Sequence, residues 1–363
     1  MSASKKINLC VLLNFFFAFS LFCQNTSVLN KKEDGLVNWL NFREAQELNK
    51  KNSKPFLIDV YTSWCGWCKH MMKTTYSDPG LASYINTYFY PVKFDAETKD
   101  TIEYNGVRYF NESTGPKTPH QLAKKFLGNS LSYPSTIFVN NNFQFNLLTQ
   151  GYLDVRKIEP LLIYTLENIF RTSSYEDFNN KFSLTFYDSL KLNRPERVKW
   201  LNWDEAFQLK NKTPKKIMVS ISTPWCNSCK VMNKTTFCDS SVADFINKHF
   251  YLVELNAETA DTLRYLDKIY TGPTQANFPF HSLIPLITKN NFALPSTVFL
   301  DEDGKVLECV PFYLHPKGLD PILHYFGENK YLKMNWQSFI SGKTTDKKET
   351  NTSENKEGTK KKK

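Results

Sequence analysis

A constant offset of 161 residues relates two halves of this sequence, and that duplication limits the fold more than any other feature. Val37-Asn38-Trp39-Leu40-Asn41 returns as Val198-Lys199-Trp200-Leu201-Asn202. Cys65-Gly66-Trp67-Cys68-Lys69 returns as Cys226-Asn227-Ser228-Cys229-Lys230. Lys73-Thr74-Thr75, Ala96-Glu97-Thr98, His120 and Pro134-Ser135-Thr136 recur as Lys234-Thr235-Thr236, Ala257-Glu258-Thr259, His281 and Pro295-Ser296-Thr297. No gap is needed from Trp39 to Thr136, so the repeat has the length of a domain rather than of a solenoid unit. Two similar domains are expected, over 36–172 and 197–340, joined by a polar, semi-ordered linker over 173–196.

Composition narrows the class. With 41% hydrophobic and 23% charged residues, the 363-residue chain is not disordered throughout. Its one long apolar run, Ile7 to Phe22, follows Lys5 and Lys6, which excludes a polytopic membrane protein. That run is short for a span, and residues 1–24 read as an export signal with Ala18-Phe19-Ser20 or Cys23-Gln24 as cleavage sites. A retained anchor and a lipidated Cys23 are the alternatives. The tail 343–363, with eight Lys against four acids and no apolar residue, is expected to be disordered. Of the net charge of +10, the two N-terminal lysines and this tail supply +6. The remainder is an ordinary surface, and no nucleic-acid partner is expected.

One copy of the repeat reads as β-α-β, a β-hairpin and a closing helix. Asn41 with Glu44 three residues on is a capping-box pattern, as is Asn202 with Glu205. Pro55–Tyr61 and Lys216–Ile221 are compact apolar runs of strand length. A helix carrying Cys68, Met71, Met72 and Thr75 follows, and Ser77-Asp78-Pro79 restarts a helix to Phe89. Tyr90–Asp95 is a second strand. Pro134–Val139 and Phe143–Tyr152 form the hairpin, and helices over Pro160–Phe170 and Pro321–Phe326 close each copy. The fold class is α/β, each domain having a mixed sheet with helices on its faces.

The chemistry concentrates in the two Cys-x-x-Cys motifs. At a helix N-terminus the first sulfur meets unpaired N–H groups and the positive end of the helix dipole, which bring a thiol pKa to about 7 or below. Thiolate is the attacking species in disulfide exchange. A structural disulfide and a zinc site shared by both motifs are the rival readings. Covalent haem is excluded because Lys69 and Lys230 stand where a His is required. No organic cofactor is implied, since neither a P-loop nor a dinucleotide fingerprint is present.

Trp64-Cys65-Gly66-Trp67-Cys68-Lys69 after a strand, with Tyr133-Pro134-Ser135-Thr136 downstream and both repeated, resembles the thioredoxin-like superfamily. It is most similar to the exported WCxWCK branch, as in the reductase domains of periplasmic thiol-disulfide interchange proteins. The resemblance implies two tandem thioredoxin-like domains with catalytic Cys65, Cys68, Cys226 and Cys229. It implies cis peptide bonds at Pro134 and Pro295, beside a substrate groove formed with Trp64, Trp67, Tyr133, Trp225 and Leu294. It further implies exported disulfide-containing proteins as substrates, a membrane or periplasmic electron donor, and a location in the periplasm or on the outer side of the inner membrane. The segments Tyr104–Lys125 and Tyr265–Ile287 exceed a minimal thioredoxin and form either a lid or a packed decoration. Their His120 and His281 are expected to be structural.

The copies differ where the chemistry needs them alike. Asp59, six residues before Cys65, matches the buried acid that in this family handles the proton of the resolving thiol. The second copy has Ser220 there, and Asn227-Ser228 in place of Gly66-Trp67. The first copy is therefore expected to be the competent exchange site, and the second slower or of different potential. Glu97 and Glu258 are expected to be turn residues. Cys238 and Cys309 occur only in the second copy, and bridging each other, remaining thiols and relaying electrons all stay open. The leading expectation is a reductase. A non-catalytic binding or chaperone module and a disulfide isomerase are the alternatives.

Overall fold

The computed structural model describes residues 35–188, 196–273 and 278–342; the expected export signal and basic tail lie outside them. The first half contains α1 (Phe42–Lys51), β1 (Phe56–Tyr61), α2 (Gly66–Lys73), α3 (Pro79–Tyr88), β2 (Tyr90–Asp95), β3 (Ile102–Tyr104), β4 (Val107–Tyr109), α4 (Gln121–Leu127), β5 (Ser135–Val139), β6 (Asn146–Gln150) and α5 (Val155–Leu166). Its sheet has the order β2-β1-β5-β6, with β1 parallel to β2 and antiparallel to β5. Both faces of the central strand are covered, which is why Phe56 to Val60 is buried without interruption. Phe56, Ile58 and Val60 pack under α1 and α4, while Leu57 packs with Met71, Met72 and Tyr76 on the opposite face. Alternation along the strand puts Asp59 on the Leu57 side, toward α2.

Helix α6 (Tyr175–Phe186) leads to the second half. There β7 (Trp200–Leu201), α7 (Trp203–Lys212), β8 (Lys216–Ser222), α8 (Asn227–Thr235), α9 (Ser240–His249), β9 (Phe250–Asn256), β10 (Leu263–Tyr265), β11 (Lys268–Tyr270), α10 (Ile284–Ile287), β12 (Ser296–Leu300), β13 (Val306–Pro311) and α11 (Pro316–Gly327) repeat the unit, and α12 (Trp336–Ile340) ends it. The strand order is β13-β12-β8-β9-β7. In the first half a lone bridge from Leu40 to Val92 stands in for β7. Each half is thioredoxin-like, as expected. Both capping boxes form, with Asn41 Oδ1 accepting from Glu44 N at 2.9 Å and Asn202 Oδ1 from Glu205 N at 2.9 Å.

Two expectations are corrected. The closing helices begin five residues before the prolines taken to start them. Asp154 caps α5 by accepting from Lys157 N at 3.0 Å, and α11 starts on Pro316, so Pro160 and Pro321 lie inside their helices. The polar stretch 173–196 is not a semi-ordered linker through Phe186. Ser174 caps α6, and Phe178 and Phe182 are buried on it. An offset of 161 maps Tyr175 onto Trp336 and Phe178 onto Phe339, so α6 and α12 are copies and the repeat runs beyond residue 172. The two long segments are packed structure: each holds a short hairpin followed by a helix.

The two halves share one apolar cluster. Ile163, Ile169, Phe178 and Phe182 of the first half join Val231, Met232, Phe237 and Tyr313 of the second. The Phe178 and Tyr313 rings meet edge to face at 5.6 Å. As a result α5 and α6 of the first domain lie beside α8, the helix of the second Cys-x-x-Cys motif. Among the described residues, no helix is long and apolar enough to cross a membrane.

Candidate active sites

Cys65 and Cys68 are joined as a disulfide, with Cα atoms 5.3 Å apart. Cys65 is the N-cap of α2, and its Sγ accepts from the Cys68 N–H at 3.0 Å. A thiolate formed at this sulfur would meet the same unpaired donor end of the helix. Cys65 is itself 5% exposed, but its surroundings are open: Trp64 and Trp67 are 52% and 62% exposed. These rings are held rather than loose. Trp64 Nε1 donates to both Glu97 carboxylate oxygens at 3.0 and 3.1 Å, and the ring meets Tyr133 edge to face at 6.0 Å. Trp67 packs on His70 and Tyr152 at 5.5 and 5.6 Å. The Lys117 ammonium, from the first long segment, lies 5.8 Å from the Trp64 ring. A recess of about 360 Å³ beside the motif is lined by Tyr61, Thr62, Cys68, Lys69, Met72 and Lys93.

Tyr133–Pro134 and Leu294–Pro295 are both cis peptide bonds. Strand register pairs Val60 with Ser135, so Pro134 sits at the end of β1 where the chain turns toward Cys65. Ile221 pairs with Ser296, which gives Pro295 the same place in the second domain. Both prolines are buried, and Tyr133 and Leu294 are half-buried.

Asp59 is fully buried, in register with Thr136 on β5 and Lys93 on β2. Burial pushes its carboxyl up to about 7, against the opposing pull of the Lys93 charge and of the Tyr76 hydroxyl, which donates to Oδ1 at 3.3 Å. Oδ2 is buried with no hydrogen-bond partner. A buried carboxyl that titrates near neutral pH can take up and return a proton under working conditions. The second copy lacks the whole set, not the acid alone. Asp59, Tyr76 and Lys93 become Ser220, Phe237 and Glu254.

Cys226 and Cys229 are likewise disulfide-bonded, with Cα atoms 5.3 Å apart. Here the surroundings differ on the Ser228 side, although a recess of about 950 Å³ lined by Thr223, Pro224, Cys229 and Lys230 opens beside this motif too. Cys226 is 1% exposed and Ser228 not at all, whereas its counterpart Trp67 faces solvent. The C-cap residue of α5, Glu167, reaches across from the first domain. It accepts from Asn227 N at 3.3 Å, from Ser228 N at 2.9 Å and from the Ser228 hydroxyl through a short bond. Trp225 keeps its exposed position, with Nε1 donating to Glu258 at 2.9 Å.

Glu97 and Glu258 lie in turns, as expected, and their carboxylates also hold the Trp that precedes each first cysteine. Their place in a repeated Ala-Glu-Thr was the available signal. Glu167 gave none, because its repeat counterpart Glu328 pairs with His324 and Lys330 instead. His120 and His281 are structural, as expected. Nδ1 of each accepts from the N–H two residues on, at 3.1 and 3.2 Å, and Nε2 of each lies 3.0 and 3.1 Å from the carbonyl oxygens of Asp100 and Asp261. Cys238 and Cys309 carry thiols and are not bonded to each other. Cys309 packs in the cluster under α7, and burial pushes its thiol up to about 11. Among the described residues, no three His, Cys, Asp or Glu side chains gather to hold a metal.

The Thioredox_DsbH family, described as "Protein of unknown function, DUF255", matches residues 19–118 and 180–318. A thiol:disulfide interchange protein DsbD from Vibrio vulnificus is 33% identical over 79 residues, which is 21% of this chain and 12% of that protein. The chain therefore spans only a small part of that relative. A solved DsbH oxidoreductase is 18% identical, covering 36% of this chain and 85% of its own, with a TM-score of 0.27. A thioredoxin-fold protein from Helicobacter pylori is 13% identical, covering 45% and 92%, with a TM-score of 0.28.

Proposed function

Taking as premise that this chain belongs to the Thioredox_DsbH family, we propose that it is an exported thiol-disulfide oxidoreductase that reduces protein disulfides through Cys65 and Cys68. The observation that carries this reading is the Cys65–Cys68 pair at the start of α2, rimmed by exposed Trp64 and Trp67 and backed by a buried carboxyl that titrates near pH 7. In the reduced protein the Cys65 thiolate attacks a substrate disulfide. A Cys65–substrate bond forms and one substrate thiolate leaves. Asp59 then takes the Cys68 proton, and the Cys68 sulfur attacks Cys65, closing the Cys65–Cys68 disulfide and expelling the second substrate sulfur. Two electrons have passed to the substrate, and a membrane or periplasmic dithiol donor must return them. The cis Tyr133–Pro134 and Leu294–Pro295 segments, with Trp64, Trp67 and Trp225, are proposed to receive the substrate chain. Cys226 and Cys229 are assigned the same chemistry with a weaker supporting set.

The substrates implied are exported proteins with accessible disulfides, and the place of action is the periplasm or the outer side of the inner membrane. The 33% identity over 79 residues to a thiol:disulfide interchange protein supports thiol-disulfide exchange as the chemistry. The direct test is dithiothreitol-driven reduction of insulin by the mature protein, with Cys65→Ser and Cys226→Ser beside it. Activity lost with Cys65→Ser and largely kept with Cys226→Ser is expected. An inactive wild type would overturn the reading in favour of a binding module. Trapping with Cys68→Ser, which halts the cycle at the mixed disulfide, then identifies the substrates.

A further inference from the structure

The second motif is not a plain copy of the first with a weaker acid behind it. Its helix start is already occupied. The N–H groups of Asn227 and Ser228, which in α2 have no such partner, are bound to the Glu167 carboxylate of the other domain. The Ser228 hydroxyl lies 3.7 Å from Cys226 Sγ and also donates to Glu167, so a carboxylate sits one side chain away from the sulfur that would have to become an anion. We propose that Glu167 is a positioning residue that holds the second pair in reserve. It takes two of the helix-end donors, the Asn227 and Ser228 N–H groups, leaves Cys226 Sγ only the Cys229 N–H at 3.2 Å, and places a carboxylate beside the sulfur.

The physics runs in one direction. A helix N-terminus stabilises an anion by its free donors and its dipole. Once a carboxylate has taken two of those donors, a second anion keeps the Cys229 N–H alone, gains less from the helix end and is repelled. The thiolate form of Cys226 is therefore disfavoured, and so is the reduced pair, because a low thiol pKa is one way a reduced pair is stabilised. Reduction by a dithiol remains chemically complete. The dithiol gives two electrons and two protons, leaves as its own disulfide, and Cys226 and Cys229 become thiols. The charged and titratable groups that act on Glu167 are Lys230 on α8 and Tyr84 on α3; Glu159 on α5 acts on Tyr84 and accepts from the Tyr187 hydroxyl. Burial raises the Glu167 carboxyl above its usual range, and the Ser228 and Asn227 donors, with the Lys230 charge, work against it in favour of the carboxylate. Repeat position 328, where the matching glutamate pairs with His324 and Lys330, shows that the arrangement is built at one place only.

The proposal rests on the exchange reading for its meaning, but its test does not use turnover. The full chain with Cys65→Ser and Cys68→Ser is reduced with dithiothreitol. Cys226 alkylation by iodoacetamide is then followed against pH, peptide by peptide, by mass spectrometry. In the Glu167 protein the midpoint should lie at or above that of a free cysteine, about 8.5. A midpoint below 7 would overturn the proposal without any further variant. In Glu167→Gln, nearly the same shape without the charge, the midpoint should fall by about one unit, raising the rate near pH 7 about tenfold. The pair should also become reduced at a more oxidising glutathione ratio. A rate raised equally at every pH, with the midpoint unmoved, would mean that Glu167 only closes the interface, and the charge argument would be lost. Failure of the insulin assay would leave these outcomes readable, so the two readings fail separately.

Discussion

Asp59 serves the proposed chemistry and works against the fold. Burial favours its neutral form, so the folded protein holds a proton there up to about pH 7 that the unfolded chain releases near pH 4. The folded state thus binds more protons in that window, and stability falls as pH rises from about 4 to about 7, then levels off. Three units correspond to about 4 kcal/mol at most. Asp59→Asn removes the titration. Its unfolding free energy, measured by urea denaturation, should gain on the wild type by a few kcal/mol between pH 4 and pH 8, while release of the mixed disulfide slows at least tenfold. A constant difference across that range would show that residue 59 does not titrate there. Trp67 is the opposite case, exposed and carrying little of the fold. Trp67→Ser, which installs the second copy's residue, should raise KM for insulin several-fold and leave unfolding within about 0.5 kcal/mol. Both residues were legible in the sequence because the motif fixes their spacing. Tyr76 was not, because its hydroxyl reaches Asp59 only after α2 has folded back over β1.

The elements that could be read in advance were those whose signal is local. The capping boxes at Asn41 and Asn202 and the apolar run of β1 needed nothing from the rest of the chain. Helix α6 is hard to read from the sequence because Tyr175, Phe178, Phe182 and Phe186 lie at helical spacing within a strongly polar stretch, and the cluster that buries Phe178 and Phe182 belongs mainly to the other domain. The starts of α5 and α11 were misplaced for a related reason. Pro160 and Pro321 suggested first-turn positions, whereas Asp154 and Pro316 supply the actual starts. If α6 is an interdomain wedge, truncating its buried face should be felt on both sides. Phe178→Ala should destabilise the protein by about 3–5 kcal/mol in urea denaturation. It should also raise the alkylation rate of reduced Cys226, which α6 and α5 cover. A loss under 1 kcal/mol would mean that the helix is an appendage.

Duplication alone would predict two independent domains with two equal sites, and the shared core argues against both parts of that. The cluster that holds Phe178 and Phe182 also holds Val231, Met232 and Phe237, so the covering of α8 is part of the same packing that stabilises the second domain. Nothing in the repeat pattern could reveal this, since an interface between copies is the one surface the copies do not have in common. The first domain keeps an open, aromatic rim and a buried acid. The second gives up the acid, exchanges Trp67 for Ser228 and accepts Glu167 in place of solvent. If the halves are joined this closely, they should lose structure together. Amide hydrogen exchange measured by mass spectrometry across a urea series should show β1 and β8 losing protection at one common midpoint, despite lying at the centres of different sheets. Phe178→Ala should move both strands to a lower midpoint by the same amount. Two separate midpoints in the wild type, with only one moved by the substitution, would show instead that the domains fold alone. The seal over Cys226 would then be a contact that opens without unfolding, and access to the second pair would be set by domain separation rather than by the stability of the whole protein.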